Sequence, residues 1–154
     1  MPKFSKIHRV NHRAQDMFDL VADIEKYPQF VPLCQSLKVN SEREKAGRTI
    51  SLADMTVGYK AIRETFTCQV ILEREALKIQ ASYIDGPFKY LDNRWHFEQV
   101  GDDQCDVHFS IDYEFKSRTL AMLMGSMFDR AFAHFTQAFE ERADALYGRQ
   151  DVNA

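Results

Sequence analysis

The sequence predicts an α+β fold in which a curved antiparallel sheet of about six to seven strands wraps around one long C-terminal helix. Between residues 37 and 115, apolar and polar residues alternate in several successive segments, as in strands with one buried and one solvated face. From Thr119 to about Tyr147 the apolar residues instead recur every three or four positions, which is typical of one side of a helix. Such a helix needs a broad apolar surface, so we expect it to pack on the sheet and to leave unfilled space between them.

The N-terminal region adds a first strand and a short helical segment. Residues Lys3–Val10 mix β-forming and charged side chains, which favours a strand. We expect Asn11 to cap the next helix, whose apolar residues between Ala14 and Ile24 lie at helical spacing. That helix should end before Tyr27-Pro28, because the residue preceding a proline avoids the α conformation.

An apolar connector, Tyr27–Cys34, follows this helix. Its two prolines exclude one regular helix over the whole segment. Two interpretations are open: the connector is a lid packed shut on the core, or Phe30, Val31 and Pro32 form one wall of a pocket mouth.

The strand region is expected to be a meander, because short turns separate successive strands. The clearest strand is Cys105–Phe115, in which apolar and polar residues alternate without interruption. Turns are predicted at Lys45-Ala46-Gly47, Val57-Gly58, Asp85-Gly86-Pro87 and Gly101-Asp102-Asp103.

One acid in this region is ambiguous. Asp54 shares the parity of Ile50 and Leu52 in the predicted strand. If it faced the core it would be a base with a raised pKa, whereas a β-bulge would turn it outward. His96 and His108 fall on the polar parity of their strands and are expected on the surface.

Composition argues against several function classes. The 154 residues, 45% of them hydrophobic, suffice for one domain, which we expect to span residues 1–154 and to be ordered over about 3–147. A formal net charge of −3 argues against DNA as a partner. The sequence contains no GxSxG, HExxH or GxxxxGK[ST] motif, so no catalytic residue is predicted. Cys34, Cys68 and Cys105 have no metal-binding spacing, so we predict no metal site but three buried thiols in a reduced compartment.

The N-terminal charges bear on location and partners. Lys3, Lys6, Arg9 and Arg13 precede the first acid, which indicates either a solvated strand face or a contact with anionic lipid heads or RNA phosphate. The same charges interrupt any signal-peptide apolar core, and Leu120–Met124 is too short to span a bilayer. We therefore expect a cytoplasmic protein, with peripheral contact at the inner membrane as an alternative.

Four segments resemble one family. They are AQDMFDLVADIEKYPQFVPLC (Ala14–Cys34), ADMTVGY (Ala53–Tyr59), DGPFKYLDNRWHF (Asp85–Phe97) and CDVHFSIDYEF (Cys105–Phe115). In this order they resemble the coenzyme Q-binding, START-like proteins of the polyketide cyclase/lipid-transport superfamily, over about residues 3–147. The resemblance implies a helix-grip fold with an elongated apolar tunnel for ubiquinone or a related polyisoprenoid lipid, in support of respiratory electron transport or quinone biosynthesis.

The resemblance leaves three functions open. The first is a bacterial, non-catalytic lipid binder with ubiquinone or an isoprenoid lipid as its ligand and no other cofactor. The second is a toxin that binds the large ribosomal subunit and blocks subunit joining, as described for bacterial relatives. The third is an enzyme of the cyclase or aromatase type, for which the sequence offers no sharp acid–base pair.

The candidate ligand-binding residues are apolar or aromatic side chains on the connector, the inward sheet parity and the long helix. They are Phe30, Val31, Pro32, Tyr83, Phe88, Leu91, Trp95, Tyr113, Phe115, Leu123, Met124, Met127, Phe128 and Ala131. Aromatic rings would stack on a quinone, tyrosine hydroxyls would donate to its carbonyls, and methionines would form an adaptable wall. For each of them, plain core packing is the alternative.

Overall fold

The protein is described here by a computed structural model, which covers residues 3–59 and 61–148. Its seven strands form a single antiparallel sheet in the order β1-β7-β6-β5-β4-β3-β2, so every connection from β2 to β7 joins neighbours and β1 closes on β7. This is the predicted meander. The strands are β1 (Lys3–Val10), β2 (Cys34–Lys45), β3 (Arg48–Tyr59), β4 (Ile62–Glu73), β5 (Lys78–Asp85), β6 (Phe88–Gln99) and β7 (Cys105–Phe115).

The helices are α1 (Ala14–Ala22), a 3₁₀ helix (Ile24–Gln29) and α2 (Arg118–Tyr147). The predicted long C-terminal helix is confirmed to within one residue. Ser117 caps it, since the Ser117 Oγ accepts the Leu120 N–H at 3.2 Å. Helix α2 packs on β1 and β7 and against α1, so it lies across the inner face of the sheet. Within the described residues, no helix is long and apolar enough to cross a membrane.

The expected cap at Asn11 is wrong, because a neighbouring strand supplies the capping group. Helix α1 begins at Ala14, and no side chain of its own segment caps it. The Ala14 N–H donates instead to the Gln99 Oε1 of β6 at 2.8 Å. Asn11 accepts a hydrogen bond from the Gln104 Nε2 at 2.8 Å. The α-helix ends at Ala22, before Tyr27-Pro28 as predicted, and a 3₁₀ helix that includes Pro28 follows it.

Two turn predictions had opposite outcomes. The turn at Asp85-Gly86-Pro87 is confirmed, and Gly86 is required there: its φ is +142° and an added Cβ would lie 2.5 Å from the Phe66 Cβ. The turn at Val57-Gly58 is wrong, because β3 continues to Tyr59. Gly58 instead makes room for a neighbour, since an added Cβ would overlap the Gln35 side chain.

The ambiguity at Asp54 is resolved by the parity of β3. Ser51, Ala53 and Val57 are buried, whereas Leu52 is 39% exposed, so Asp54 faces outward with an unbroken register to β4 and no bulge in that pairing. Hydrogen bonds from Thr67 Oγ1 (2.5 Å) and Asn40 Nδ2 (2.8 Å) hold the pKa of the Asp54 carboxyl below its ordinary value. It is therefore not a core-facing base with a raised pKa.

Buried groups anchor the two ends of α2. At its N-terminal half, five rings form what we call the aromatic cluster: Phe88, Tyr113, Phe115, Phe128 and Phe132, with Phe88 and Phe115 stacked at 4.9 Å. At the other end, the Nε2 of buried His12 lies 2.7 Å from the Asp144 carboxylate. The helix is thus fixed at both ends, and the segment between them spans the inner face of the sheet.

Candidate ligand-binding cavity

An apolar cavity of about 120 Å³ lies between the sheet and the middle of α2. Its walls come from β2–β7, from the connector before β2 and from one side of α2. The lining residues are Ile24, Tyr27, Pro32, Leu33, Leu37, Ala53, Met55, Val57, Phe66, Cys68, Val70, Ile79, Ala81, Leu91, Asn93, Trp95, Ile111, Phe128, Ala131, Phe132, Phe135 and Phe139.

Side-chain size explains the position of the cavity. The inward residues of β3, β4 and β5 that line it include Ala53, Cys68, Val70 and Ala81. These short side chains do not reach the helix, which is held away from them by its contacts with β1 and β7. Close packing is the rule in protein interiors, so a cavity of this size is an exception that requires an explanation.

The connector closes one side of the cavity in a conformation that is unusual for its residues. Leu33 has a φ of +68°, in the left-handed region that β-carbon-bearing residues seldom adopt. In this conformation its carbonyl accepts the Gly58 N–H at 3.0 Å, which ties the connector to β3. Pro32 and Leu33 are half-buried and line the cavity, so the interpretation of the connector as a pocket wall is supported for these two residues.

The cavity is electrically neutral. None of its lining residues is an acid, a base or a histidine. Burial raises the pKa of the Cys68 thiol to about 12, so it stays protonated at neutral pH. The hydroxyl of Tyr27 donates to the Val21 carbonyl, and burial raises the pKa of this phenol as well. A charged group placed inside would lose its hydration without gaining a counter-charge.

One polar side chain, Asn93, is built into the apolar wall. It lies on β6 between Leu91 and Trp95 and pairs with Ala81 of β5 and Ile111 of β7. The Asn93 Nδ2 donates to the Ser110 carbonyl at 2.9 Å, and the Asn93 Oδ1 accepts the indole N–H of Trp95 at 3.0 Å. The two bonds fix the amide in one orientation.

The structure brings some of the predicted site residues together at the cavity: Pro32, Leu91, Trp95, Phe128 and Ala131. Contact of these residues with a ligand stays a prediction. The other candidates lie outside the cavity wall: Phe30, Val31, Tyr83, Phe88, Tyr113, Phe115, Leu123, Met124 and Met127.

Those other candidates occupy three kinds of environment. Phe88 and Met124 are almost fully buried in the packed core, as are Val31, Tyr113 and Phe115. Half-buried Phe30 packs edge-on against Phe139 at 5.0 Å, and Tyr83 and Met127 are also half-buried. Leu123 is 54% exposed on the outer side of α2, because helical spacing in this first part of the helix turns it away from the sheet.

The two tyrosine hydroxyls considered as donors to a quinone are engaged elsewhere. The Tyr83 hydroxyl accepts the backbone N–H of Phe88 at 3.2 Å. The Tyr113 hydroxyl donates to the Asp129 Oδ1 at 3.3 Å, and burial raises the pKa of Tyr113. Neither ring lines the cavity, so neither hydroxyl is placed to meet a ligand there.

Asn93 was not among the predicted site residues, although the sequence contains a signal for it. Asn93 has the same parity as Leu91, Trp95 and Phe97, all of which are buried. A polar residue at an inward position of a strand requires hydrogen-bond partners, and therefore marks a structural or a recognition role. The small residues Ala53 and Ala81 were a second signal, because they predict space opposite the helix.

The cavity is small for the elongated tunnel that the family resemblance implied. About 120 Å³ is close to the size of a cavity that holds one benzene ring, and smaller than the ~300 Å³ at which most ligand pockets begin. Within residues 3–59 and 61–148, no three His, Cys, Asp or Glu side chains gather as metal ligands.

A sheet that grips a long helix over an apolar cavity defines a START-like fold. A START superfamily protein from Mycobacterium smegmatis has the same fold, with a TM-score of 0.78, 22% sequence identity and coverage of 94% of this chain and 98% of that one. A family model described as polyketide cyclase / dehydrase and lipid transport matches residues 10–140. The chain belongs to this family.

Two curated relatives extend over most of both chains. The ribosome association toxin RatA of Escherichia coli (strain K12) is 31% identical over 147 residues, which cover 96% of this chain and 90% of the relative. The mitochondrial coenzyme Q-binding protein coq10 of Schizosaccharomyces pombe is 30% identical over 138 residues, covering 89% of this chain and 84% of the relative. These matches confirm the family resemblance seen in the sequence. The relatives include both a ribosome association toxin and a coenzyme Q-binding protein.

Proposed function

We propose that this protein binds ubiquinone or a related polyisoprenoid lipid without catalysing a reaction on it. The observation that supports the proposal most directly is the neutral, apolar cavity between the sheet and α2. The similarity to a coenzyme Q-binding protein supports the choice of ligand class. Respiratory electron transport or quinone biosynthesis is the process that such a binder would serve.

The size of the cavity limits which part of the ligand it holds. A volume of about 120 Å³ is close to that of one ring and far below that of a long isoprenoid tail. Several lining residues, among them Leu37, Met55 and Phe135, are only half-buried, so the wall is incompletely closed and the tail would leave through it. Burial of the ring and the first part of the tail contributes roughly 25 cal/mol per Å² of apolar surface, before the cost of ordering the ligand.

The composition of the wall supports a non-enzymatic role. General acid–base catalysis needs a titratable group within hydrogen-bond reach of the reacting atom. The cavity wall supplies only Tyr27, whose hydroxyl is bound to a carbonyl, and Cys68, whose thiol is held neutral. A cyclase-type reaction inside this cavity would therefore lack its proton-transfer groups.

Trp95 provides a direct test, because it is the single tryptophan of the chain and lines the cavity. Titration with a short-chain ubiquinone analogue should change the emission of Trp95 in a saturable manner. Ala53→Leu, which fills the cavity from β3, should weaken binding at least about tenfold. The same substitution at Ala121, which is exposed on α2, should leave binding unchanged.

A second measurement shows whether the protein carries a lipid before any ligand is added. The natively purified protein would be extracted with organic solvent and the extract examined by mass spectrometry for isoprenoid lipids. Absence of any isoprenoid lipid, together with no saturable response of Trp95, would contradict the proposal.

A second candidate function is association with the large ribosomal subunit, and it is favoured by the 31% identity to RatA. The outward side chains of β1 include Lys3, Ile7 and Arg9, all exposed and at the edge of the sheet. This edge strand would be the contact surface. Overexpression followed by sucrose-gradient profiles tests the candidate: an unchanged ratio of free subunits to whole ribosomes would remove it.

A further inference from the structure

We propose that the Asn93 amide is the group that selects the ligand: the cavity takes a neutral molecule whose ring carries a carbonyl or hydroxyl oxygen, and it discriminates against ionised heads. This inference rests on the proposed function and adds the polar contact that makes binding selective. It also replaces Tyr83 and Tyr113 as the candidate polar contacts, because Asn93 lines the cavity and the two tyrosines do not.

The position of Asn93 suits it to this role. It is on the inward parity of β6, with Ala81 as its neighbour on β5 and Ile111 on β7, and both neighbours also line the cavity. Because the alanine is small, the Asn93 amide is not covered from that side. Asn93 is half-buried and is itself one of the residues that line the cavity, so a ligand in the cavity lies beside it.

The amide has hydrogen-bonding capacity left for a ligand. An asparagine side chain offers two N–H donors and a carbonyl oxygen that accepts two bonds. Among the residues that the structure describes, its partners are the Ser110 carbonyl and the Trp95 indole N–H. One N–H and one acceptor position therefore remain, which suffices for a ligand carbonyl or for a hydroxyl in either direction.

A ligand without oxygen would leave the Asn93 amide without a hydrogen-bond partner in the cavity. An apolar molecule in the cavity would exclude water from Asn93 and give nothing back, so the amide would lose hydrogen bonds. An ionised ligand would lose its hydration among lining residues that carry no charge. The neutral, oxygen-bearing ring is the class that avoids both costs.

The experiment compares three probes with equal chains: a short-chain ubiquinone analogue, an alkylbenzene without oxygen, and a fatty acid at pH 8. Binding of the quinone is followed by Trp95 emission, and the other two probes are measured by competition with it. We expect the quinone to bind about tenfold more tightly than the alkylbenzene, as one hydrogen bond inside an apolar site provides, and the ionised fatty acid to be the weakest competitor.

Asn93→Leu keeps the approximate size and removes the amide, so the preference for quinone over alkylbenzene should shrink to about threefold or less. Asn40→Leu, an identical change at an exposed position, should keep the wild-type preference. The preference is the affinity for the quinone divided by the affinity for the alkylbenzene, both measured on the same variant. A modest loss of stability lowers both affinities alike and leaves this ratio unchanged. A wild-type preference retained in Asn93→Leu would overturn the inference.

If Asn93→Leu does not fold, Trp95→Phe supplies the second test. Loss of the indole N–H frees a further acceptor position on the Asn93 Oδ1, so the reduced quinol, which can donate to it, should gain affinity relative to the quinone. Equilibrium dialysis replaces fluorescence for this variant, and an unchanged ratio would overturn the inference. Absence of binding by every probe to the wild type would instead contradict the proposed function, whereas equal binding of quinone and alkylbenzene would contradict only the role of Asn93.

Discussion

The inner face of the sheet has two sides that differ in how they meet α2. Where β6 begins and β7 ends, the rings of the aromatic cluster pack against one another, and Phe88 is fully buried. On the side of β3, β4 and β5, the short residues Ala53, Cys68 and Ala81 leave a cavity of about 120 Å³. We call these the aromatic side and the cavity side.

The comparison shows that tight packing on the aromatic side stabilises the fold, so that the cavity side can remain unfilled. Phe88 contacts four rings at centroid distances below 6.1 Å, those of Phe66, Tyr83, Tyr113 and Phe115. Each such pair adds to the free energy of unfolding beyond the area it buries. Because the aromatic side holds one end of α2 and the His12–Asp144 pair holds the other, the middle of the helix can span unfilled space without collapsing onto it.

The largest expected effect comes from removing a phenylalanine ring, and it should differ between Phe88 on the aromatic side and Phe135 on the cavity side. Phe88→Ala should lower the free energy of unfolding by about 3–5 kcal/mol, because it creates a cavity in close-packed surroundings. Phe135→Ala, at a half-buried residue of the cavity wall, should cost less than about 2 kcal/mol, since less apolar surface is lost. Urea unfolding measures both. Equal losses would mean that the two sides are packed alike.

An intermediate effect is expected at the far anchor of α2. Asp144→Ala should lower the free energy of unfolding by about 1–3 kcal/mol, because it leaves His12, whose side chain is 1% exposed, without its partner. The similar pair one helical turn earlier, His8 with Glu140 at 2.9 Å, is more exposed, with 25% for the histidine side chain. Glu140→Ala should therefore cost at most about 1 kcal/mol.

The variants Asp144→Ala and Glu140→Ala also test whether the cavity depends on the anchoring of α2 by the His12–Asp144 pair. Asp144→Ala should loosen α2 and weaken binding of the quinone analogue to the cavity, and Glu140→Ala should not. A loss of stability that is the same in both variants would remove the special role of the buried pair.

The smallest effect at neutral pH is expected from ionisation of the thiols. Burial raises the pKa of Cys34 to about 11 and those of Cys68 and Cys105 to about 12, from an ordinary value of 9.0. Because the folded state holds these protons more tightly, their contribution is fully present below pH 9 and is lost as the pH rises from there through 11 to 12. The free energy of unfolding should thus be flat from pH 7 to about 8 and should fall above about 9.

The thiols also distinguish the two sides. At pH 8 a small alkylating reagent should modify Cys68, which lines the cavity, faster than Cys105, which is fully buried. A bound quinone analogue should slow the reaction of Cys68 alone. Mass spectrometry of the alkylated protein locates the modified thiol, and equal rates at the two positions would contradict access through the cavity.

Local patterns in the sequence were sufficient for most of the fold. The alternation from Cys105 to Phe115 and the helical spacing from Thr119 to Tyr147 predicted β7 and α2, because each pattern reports directly which face is buried. Errors arose where a distant part of the chain intervened. Gln99 caps α1 in place of Asn11, and the approach of the Gln35 side chain, not a turn, accounts for Gly58.

The site depended more heavily on tertiary structure. Parity identified Leu91, Trp95 and Tyr113 alike as inward residues, but it contains no information on where along each strand the helix makes contact. That position separates Leu91 and Trp95, which line the cavity, from Phe88 and Tyr113, which are closed within the aromatic cluster.

By itself, then, the sequence determined a curved meander, a long helix on its inner face and the family to which the chain belongs. Only the tertiary structure decided that the cavity lies between the middle of α2 and the inward residues of β2–β7, that its size is close to that of one ring, and that Asn93 contributes an amide to its wall. The physical reason is that periodicity is a property of a single segment, whereas a cavity is a difference in volume between side chains from segments far apart in the chain.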